Sequence, residues 1–286
     1  MNYTEINLDL QSTVKRIYQN LIYRSSFYKM LNDSYIGELR QAGTPMIEVL
    51  KSGNVTINVR NTREIQTALT PSLMGYSSVK VDLTELAMDY SIRIPVLVSG
   101  SDIYNTLDSA MEKKDSAVAK QIDTYGFGKL ASDSNITNET FAPATADAYV
   151  GAITGMSATL FNNDVYDTYR LALSATEYGK YVAALVNTLK YETMAGVEAV
   201  DRGIVANAYG VDAFPVNDTV LGQTSGQSPT AIKGYFFNPI AIVGDAFFDA
   251  FVQHNSPQGW PGYYVFEGNI LFGAEVVEPT AILRLV

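Results

Sequence analysis

The sequence has no cysteine and only one histidine. The first absence excludes a disulfide frame, a thiolate metal site and a cysteine nucleophile. The second leaves His254 without the partners an imidazole metal cluster requires. His254 stands in VQHNSPQG, a run of loop composition, and is read as a loop residue. Charge is sparse as well: 17% of the 286 residues are Asp, Glu, Lys or Arg, below the usual quarter. The net charge of −10 excludes a nucleic-acid binder that works by bulk positive charge. No apolar run reaches the ~18 residues a membrane helix needs. The start, MNYTEINLDLQSTVKRIY, lacks the basic lead and apolar stretch of a signal peptide, so none is expected.

Catalytic patterns are missing too. There is no phosphate-binding G-x-x-x-x-G-K-[ST] run and no G-x-S-x-G elbow. TYGFGKL has two close glycines, but it follows a helical stretch. It reads as a helix C-terminus capped by Gly126 or Gly128, with Lys129 beyond. Asp164 and Asp167 in NNDVYD lack the spacing of a calcium loop and read as turn formers. The N-x-T triplets at Asn2, Asn54, Asn135, Asn138 and Asn217 read as chance in an Asn- and Thr-rich chain. The expectation is a non-enzyme with no catalytic residue, no metal and no cofactor.

Aromatics are abundant, with 19 Tyr and 12 Phe. That load suits β-rich cores and large interfaces. Charge is unevenly placed: residues 1–60 carry seven Lys or Arg against five Asp or Glu, a net of +2, which leaves −12 for the remainder. Two readings stay open, chance fluctuation and a basic front end that packs against copies of an acidic body.

Along the chain, residues 1–40 read as a polar arm. Val14, Ile17, Tyr18 and Leu21 share helical spacing within it, and Tyr28, Leu31 and Tyr35 repeat the pattern. The arm's low apolar content predicts that it does not fold back on its own body. Met46–Leu50 and Val55–Arg60 read as strands around a turn at Ser52-Gly53-Asn54, and Val79–Leu83 and Tyr90–Val98 as further strands. Arg60–Ser78 then forms the tip of an extended excursion. From Ser101 to Thr124 there is neither Gly nor Pro. Ile103, Leu107, Ala110, Met111, Val118, Ile122 and Tyr125 make one apolar stripe, with Asp108, Glu112, Lys113, Asp115 and Lys120 opposite. SDSNITNETFAPAT is a loop. Ala144–Phe161 is a second helix, weakened by Gly151 and Gly155. Tyr169–Ser174 is a strand and Thr176–Leu189 a third helix. Gly203–Ala208 and Val211–Val216 form two short runs pivoting on Gly210. AIKGYFFNPIAIVGD is a strand into a turn, AFFDAFVQ a short helix, and PGYYVFEGNILFGAEVVEPTAILRL two closing strands broken near Gly268 and Gly273. Strands and helices do not alternate strictly, so the class is α+β.

Four stretches in this order carry a resemblance. DIYNTLDSAMEKKDSAVAKQIDTYGFGKLA holds a helical D-S-x-x-A-x-x-I-D run ending in small residues. YRLALSATEYGKYVAAL is a strand feeding a helix. DRGIVANAYGVDAFPVND turns two strands about a glycine. GNILFGAEVVEPTAILRL is an apolar strand, a proline and a last strand. Together they resemble the major capsid protein of tailed bacteriophages, the Hong Kong-type shell fold shared with herpesvirus shells and encapsulins, from about Thr44 to the end. The middle of the excursion does not align.

The resemblance implies the tailed-phage major capsid fold: an N-terminal arm (1–43), an extended β-hairpin loop with peripheral-sheet strands (44–98), a peripheral domain with a long spine helix (99–168), an axial domain (169–258) and return strands of the peripheral domain (259–286). It implies a structural protein that self-assembles, as pentamers and hexamers, into an icosahedral-type shell around a double-stranded DNA genome. The implied location is the virion, with assembly in the host cytoplasm. The implied partners are copies of itself, scaffolding, portal and decoration proteins, and packaged DNA held weakly and without sequence specificity, with no membrane. Lys15, Arg16, Arg60, Arg63 and Glu64 are the inter-subunit contact candidates, Arg60, Arg63 and Glu64 at the excursion tip reading equally as a solvated loop, and Gly210 is the structural pivot. An encapsulin-like cellular shell is the alternative, and a carboxylate-based enzyme a more distant one.

Overall fold

The computed structural model describes residues 24–32, 34, 46–52, 76–95, 100–166, 168–189, 207–208, 211–221, 232–255 and 263–286. Lys15, Arg16, Arg60, Arg63, Glu64 and Gly210 lie outside them.

A 3-10 turn at Tyr28–Met30 opens the described chain. β1 (Met46–Ser52) then pairs antiparallel with β2 (Tyr76–Asp82), from Met46↔Asp82 to Ser52↔Tyr76. β1 runs through Ser52, where the expected turn begins, and its partner is the returning strand; Gly53 and Asn54 lie outside the described residues. Val55–Arg60 lies outside the described residues. β3 (Leu86–Pro95) follows, then α1 (Gly100–Ser132), β4 (Thr137–Glu139), α2 (Ala146–Asn162), β5 (Tyr169–Ser174) and α3 (Ala175–Leu189). The chain continues as β6 (Asn207–Ala208), β7 (Val211–Val216), β8 (Gly234–Phe237), β9 (Ile242–Asn255), β10 (Tyr263–Val276) and β11 (Ile282–Leu285).

These strands make the β1–β2 ribbon, a three-stranded sheet in the order β3-β10-β9, and a six-stranded sheet in the order β4-β11-β8-β5-β7-β6. The six-stranded sheet is mixed, with β5–β7 and β11–β4 parallel. Its central strands are buried on both faces, which is why YRLALS and GYFF read as continuous apolar runs. β9 pairs with β10, whose other edge pairs with β3, while β11 lies in the sheet of β5, β7 and β8.

Amphipathic spacing explains the helices. Tyr149, Ile153, Met156 and Leu160 bring one face of α2 into the core. Thr145 caps the helix by accepting from Ala148 N, and Asp147 stands favourably in its first turn. Met111, Val118 and Ile122 do the same for α1. Gly126 and Gly128 do not cap α1, which continues to Ser132. The cause is long-range: a Cβ on Gly126 would stand in the Phe27 ring, so glycine here provides close approach. The helix ends where Arg284 of β11 donates to the carbonyls of Leu130 and Asp133, both at 2.6 Å.

Other expectations change for similar reasons. Asp115 belongs to the buried side of α1. Lys114, buried beside it, places Nζ 3.4 Å from its Oδ1 and 4.0 Å from the Tyr90 ring centre. The predicted loop after α1 contains β4, which pairs with β11. AFFDAFVQ is strand, part of β9, because β10 supplies a ladder from Val276↔Ile242 to Tyr264↔Asn255. Short aromatic runs read equally as helix or strand until a partner decides. His254 pairs with Val265 in that ladder and is not in a loop. β10 runs unbroken through Gly268 and Gly273, which again mark close approaches: the Tyr90 ring lies at the first and the Asp82 carbonyl at the second.

Candidate functional site

Three features organise the body: an anchored arm segment, a lysine-centred junction, and a ribbon rooted in a small core of its own.

Arg24–Asn32 is packed into the body, with Phe27, Tyr28, Met30 and Leu31 at most 1% exposed. For these residues it corrects the expectation that the arm stays off its own subunit; residues 1–23 and 35–40 lie outside the described residues. Asp123 of α1 accepts from Ser25 Oγ at 2.6 Å, Phe27 N at 2.8 Å and Ser26 N at 3.2 Å. Ser25 Oγ in turn accepts from Tyr28 N at 3.0 Å. Burial pushes the Asp123 carboxyl above the usual range, although the Ser25, Phe27 and Ser26 donors favour its charged form. The Tyr28 hydroxyl donates to the buried Asp245 of β9. Arg170 of β5 donates to Lys29 O at 2.6 Å, Ser26 Oγ to Pro215 O of β7 at 3.0 Å, and Asn32 N to Ile242 O of β9 at 2.9 Å. Arg24 pairs with Glu112 of α1 at 2.6 Å. Phe27 meets Phe127 and Phe272 edge-on, with ring centres 5.5 and 6.2 Å apart. One short segment therefore joins the long helix to both larger sheets.

Lys129 is the second junction. Its Nζ lies 2.7 Å from Glu85 Oε2, 2.6 Å from Glu275 Oε2 and 2.7 Å from Ala274 O. The Tyr125 hydroxyl also donates to Glu85. Burial acts to lower the Lys129 pKa, but the Glu275 and Glu85 carboxylates outweigh it and hold it above the ordinary lysine range. Burial likewise acts to raise Glu85, and Lys129 with Tyr125 outweighs it, leaving Glu85 below the ordinary range. Burial, reinforced by the bond to Glu85, pushes Tyr125 up to about 12. A raised lysine stabilises the fold below its unfolded pKa and loses that contribution as pH climbs; a lowered carboxylate stabilises above its unfolded pKa and loses it as pH falls. Lys129→Met should therefore lower stability by about 1–2 kcal/mol near neutrality. The gap from wild type should narrow below about pH 4 and above about pH 10. Melting temperature against pH for the two proteins measures this, and a pH-independent gap would refute it.

The ribbon is third. Ile47, Val49, Val81 and Leu83 pack with Val243 and Val277 in a small core at its root. Met46 and Leu50 are exposed on its other side. A lone two-stranded ribbon is marginal in water, so its direction depends on that root.

Asp123, Asp245 and Lys129 escaped the sequence reading. Their partners lie far away in sequence, Tyr28 and Asp245 being 217 positions apart, so no local spacing reveals them. The one local signal was the glycines of TYGFGKL, which mark where Phe27 docks. Among the described residues no His/Asp/Glu cluster is suited to a metal, and no helix is long and apolar enough to cross a membrane.

No protein-family model and no curated protein matches the sequence. Solved structures do match. A chain in the capsid structure of cyanophage P-SCSP1u is similar over 84% of this chain and 83% of its own, with TM-score 0.61 and 15% identity. The chain has the phage capsid fold. A chain from Mycobacterium phage Che8 shares it over 91% of this chain and 90% of its own, with TM-score 0.60 and 15% identity. So does a chain of a virus-like particle from Pyrococcus furiosus, over 97% and 99%, with TM-score 0.51 and 12% identity.

Proposed function

We propose that this protein is the structural subunit of a phage shell, a major capsid protein that self-assembles around double-stranded DNA. The observation that carries the reading is the likeness to the cyanophage capsid chain over most of both lengths. The physical features fit. The ribbon presents Met46 and Leu50 outward, and the aromatic load suits extensive interfaces. In this reading pentamers and hexamers build the shell, assembly takes place in the host cytoplasm, and DNA is held without sequence specificity. Portal, scaffolding and decoration proteins are its further partners. The arm (1–43), extended loop (44–98), peripheral (99–168 and 259–286) and axial (169–258) segments are its working parts. Lys15, Arg16, Arg60, Arg63 and Glu64 pair across subunits. Gly210 is the pivot of a hairpin whose flanking residues Ala208 and Val211 are paired; only residues 209–210 join them, the loop length at which glycine serves positive φ.

The Pyrococcus particle supports a second reading, an encapsulin-like shell with protein cargo. Nuclease-protected DNA in purified particles favours the phage shell; protein cargo without DNA favours the other.

Limited proteolysis tests the assembly reading. In unassembled protein, cleavage should fall first at residues 1–23 and 53–75 and leave the body intact, because in this reading neighbouring subunits cover them in the shell. Shell formation should suppress those cuts. Equal protection in both states would contradict the proposal.

A further inference from the structure

Three turns meet at the far end of α2: residues 160–166, 238–241 and 277–281. The buried side chain of Asn238 ties the first two, donating to Tyr166 O at 2.8 Å and accepting from Ile240 N at 3.0 Å. Asn163 donates to Thr280 O at 3.2 Å, and Val277 N to Ala241 O at 2.8 Å. On this bonded base Phe161, Tyr166 and Ile240 are 58%, 50% and 52% exposed. They are half of the large apolar side chains exposed among the described residues. The Phe161 and Tyr166 rings stand edge-on with centres 4.9 Å apart. The charged residues of the three turns are Asp164 and Glu278, with no Lys or Arg. The result is a pre-organised apolar platform with an acidic rim, and its exposed rings contribute little to the subunit's own core.

We propose that this platform docks a second copy of the chain, and that the docked element is that copy's front segment, Val14–Leu21. The inference rests on the shell reading. In helical spacing Val14, Ile17, Tyr18 and Leu21 share one face, the pattern of a helix laid on an apolar surface. Lys15 borders that face and is opposite in charge to Asp164 and Glu278, while Arg16 falls on the far side of such a helix. Charge distribution favours the same pairing. Residues 1–60 carry +2 and the remainder −12, so two bodies repel unless a basic segment lies between them.

The chain has no cysteine, which makes a cross-linking test clean. Full-length Lys15→Cys and Ile240→Cys chains, mixed before assembly and oxidised afterwards, should give a disulfide dimer containing one of each, in shells only. In a separate chain, Phe161→Ser with Tyr166→Ser should leave the melting temperature unchanged, yet raise the concentration at which shells appear about tenfold. Shells with no mixed dimer, or wild-type assembly of the double variant, overturn the platform and leave the shell reading standing. Dimers of Ile240→Cys alone overturn the front segment as occupant, as does a link within one chain of the combined Lys15→Cys, Ile240→Cys variant. Absence of shells from every chain, wild type included, overturns both readings.

Discussion

Phe27→Ala should cost the folded subunit about 3–5 kcal/mol and abolish shell formation. The ring is 1% exposed, lies across Gly126, and meets Phe127 and Phe272 edge-on. Its removal leaves a cavity between α1 and β10 that rigid neighbours cannot close. The loss extends beyond the ring, because the backbone beside it carries the Asp123, Arg170 and Ile242 bonds that hold the arm segment between both sheets. In a domain of this size the melting temperature should fall by about 10 °C. Gly126→Ala should act in the same direction, since its Cβ would occupy the position of the ring. Thermal melting and particle counts by electron microscopy check both variants. A Phe27→Ala protein that melts like wild type would mean that the arm segment contributes nothing to the body.

The second large effect separates two kinds of glycine. Gly273→Ala places a Cβ against the Asp82 carbonyl and Leu83 Cα, backbone atoms at the root of the ribbon that cannot rotate away. Overpacking of that kind should cost about 3 kcal/mol and displace the ribbon, so that shells fail even where the subunit stays folded. Gly151 and Gly155 present the opposite case. Both sit in α2 with open space where a Cβ would go. There Gly→Ala should stabilise by about 0.5–1 kcal/mol through helix propensity and leave assembly untouched. Denaturant melts of the three single variants decide the matter. Equal effects at residues 273 and 155 would contradict the placement of the ribbon root.

The same contrast shows what was legible in the sequence. Local periodicity identified α1, α2, α3 and β5, because each carries its own apolar stripe or run. It also placed Gly151 and Gly155 within a helix, where they lie. It misread Gly126, Gly268 and Gly273 as ends, since those glycines answer to Phe27, Tyr90 and Asp82 from remote parts of the chain. AFFDAFVQ became helix for want of its partner strand β10. The arm was judged by its mean polarity, whereas Phe27, Tyr28, Met30 and Leu31 are a concentrated apolar patch that docks alone. The proposed contact residues, Lys15 to Glu64, lie outside the described residues and keep the standing they had in the sequence.

Negative-stain electron microscopy of the concentrated wild-type protein, alone and co-expressed with the assembly factors that the shell reading implies, addresses the central claim most directly. Closed shells of uniform size are the predicted result. A stable monomer of 31.3 kDa under every such condition would contradict it.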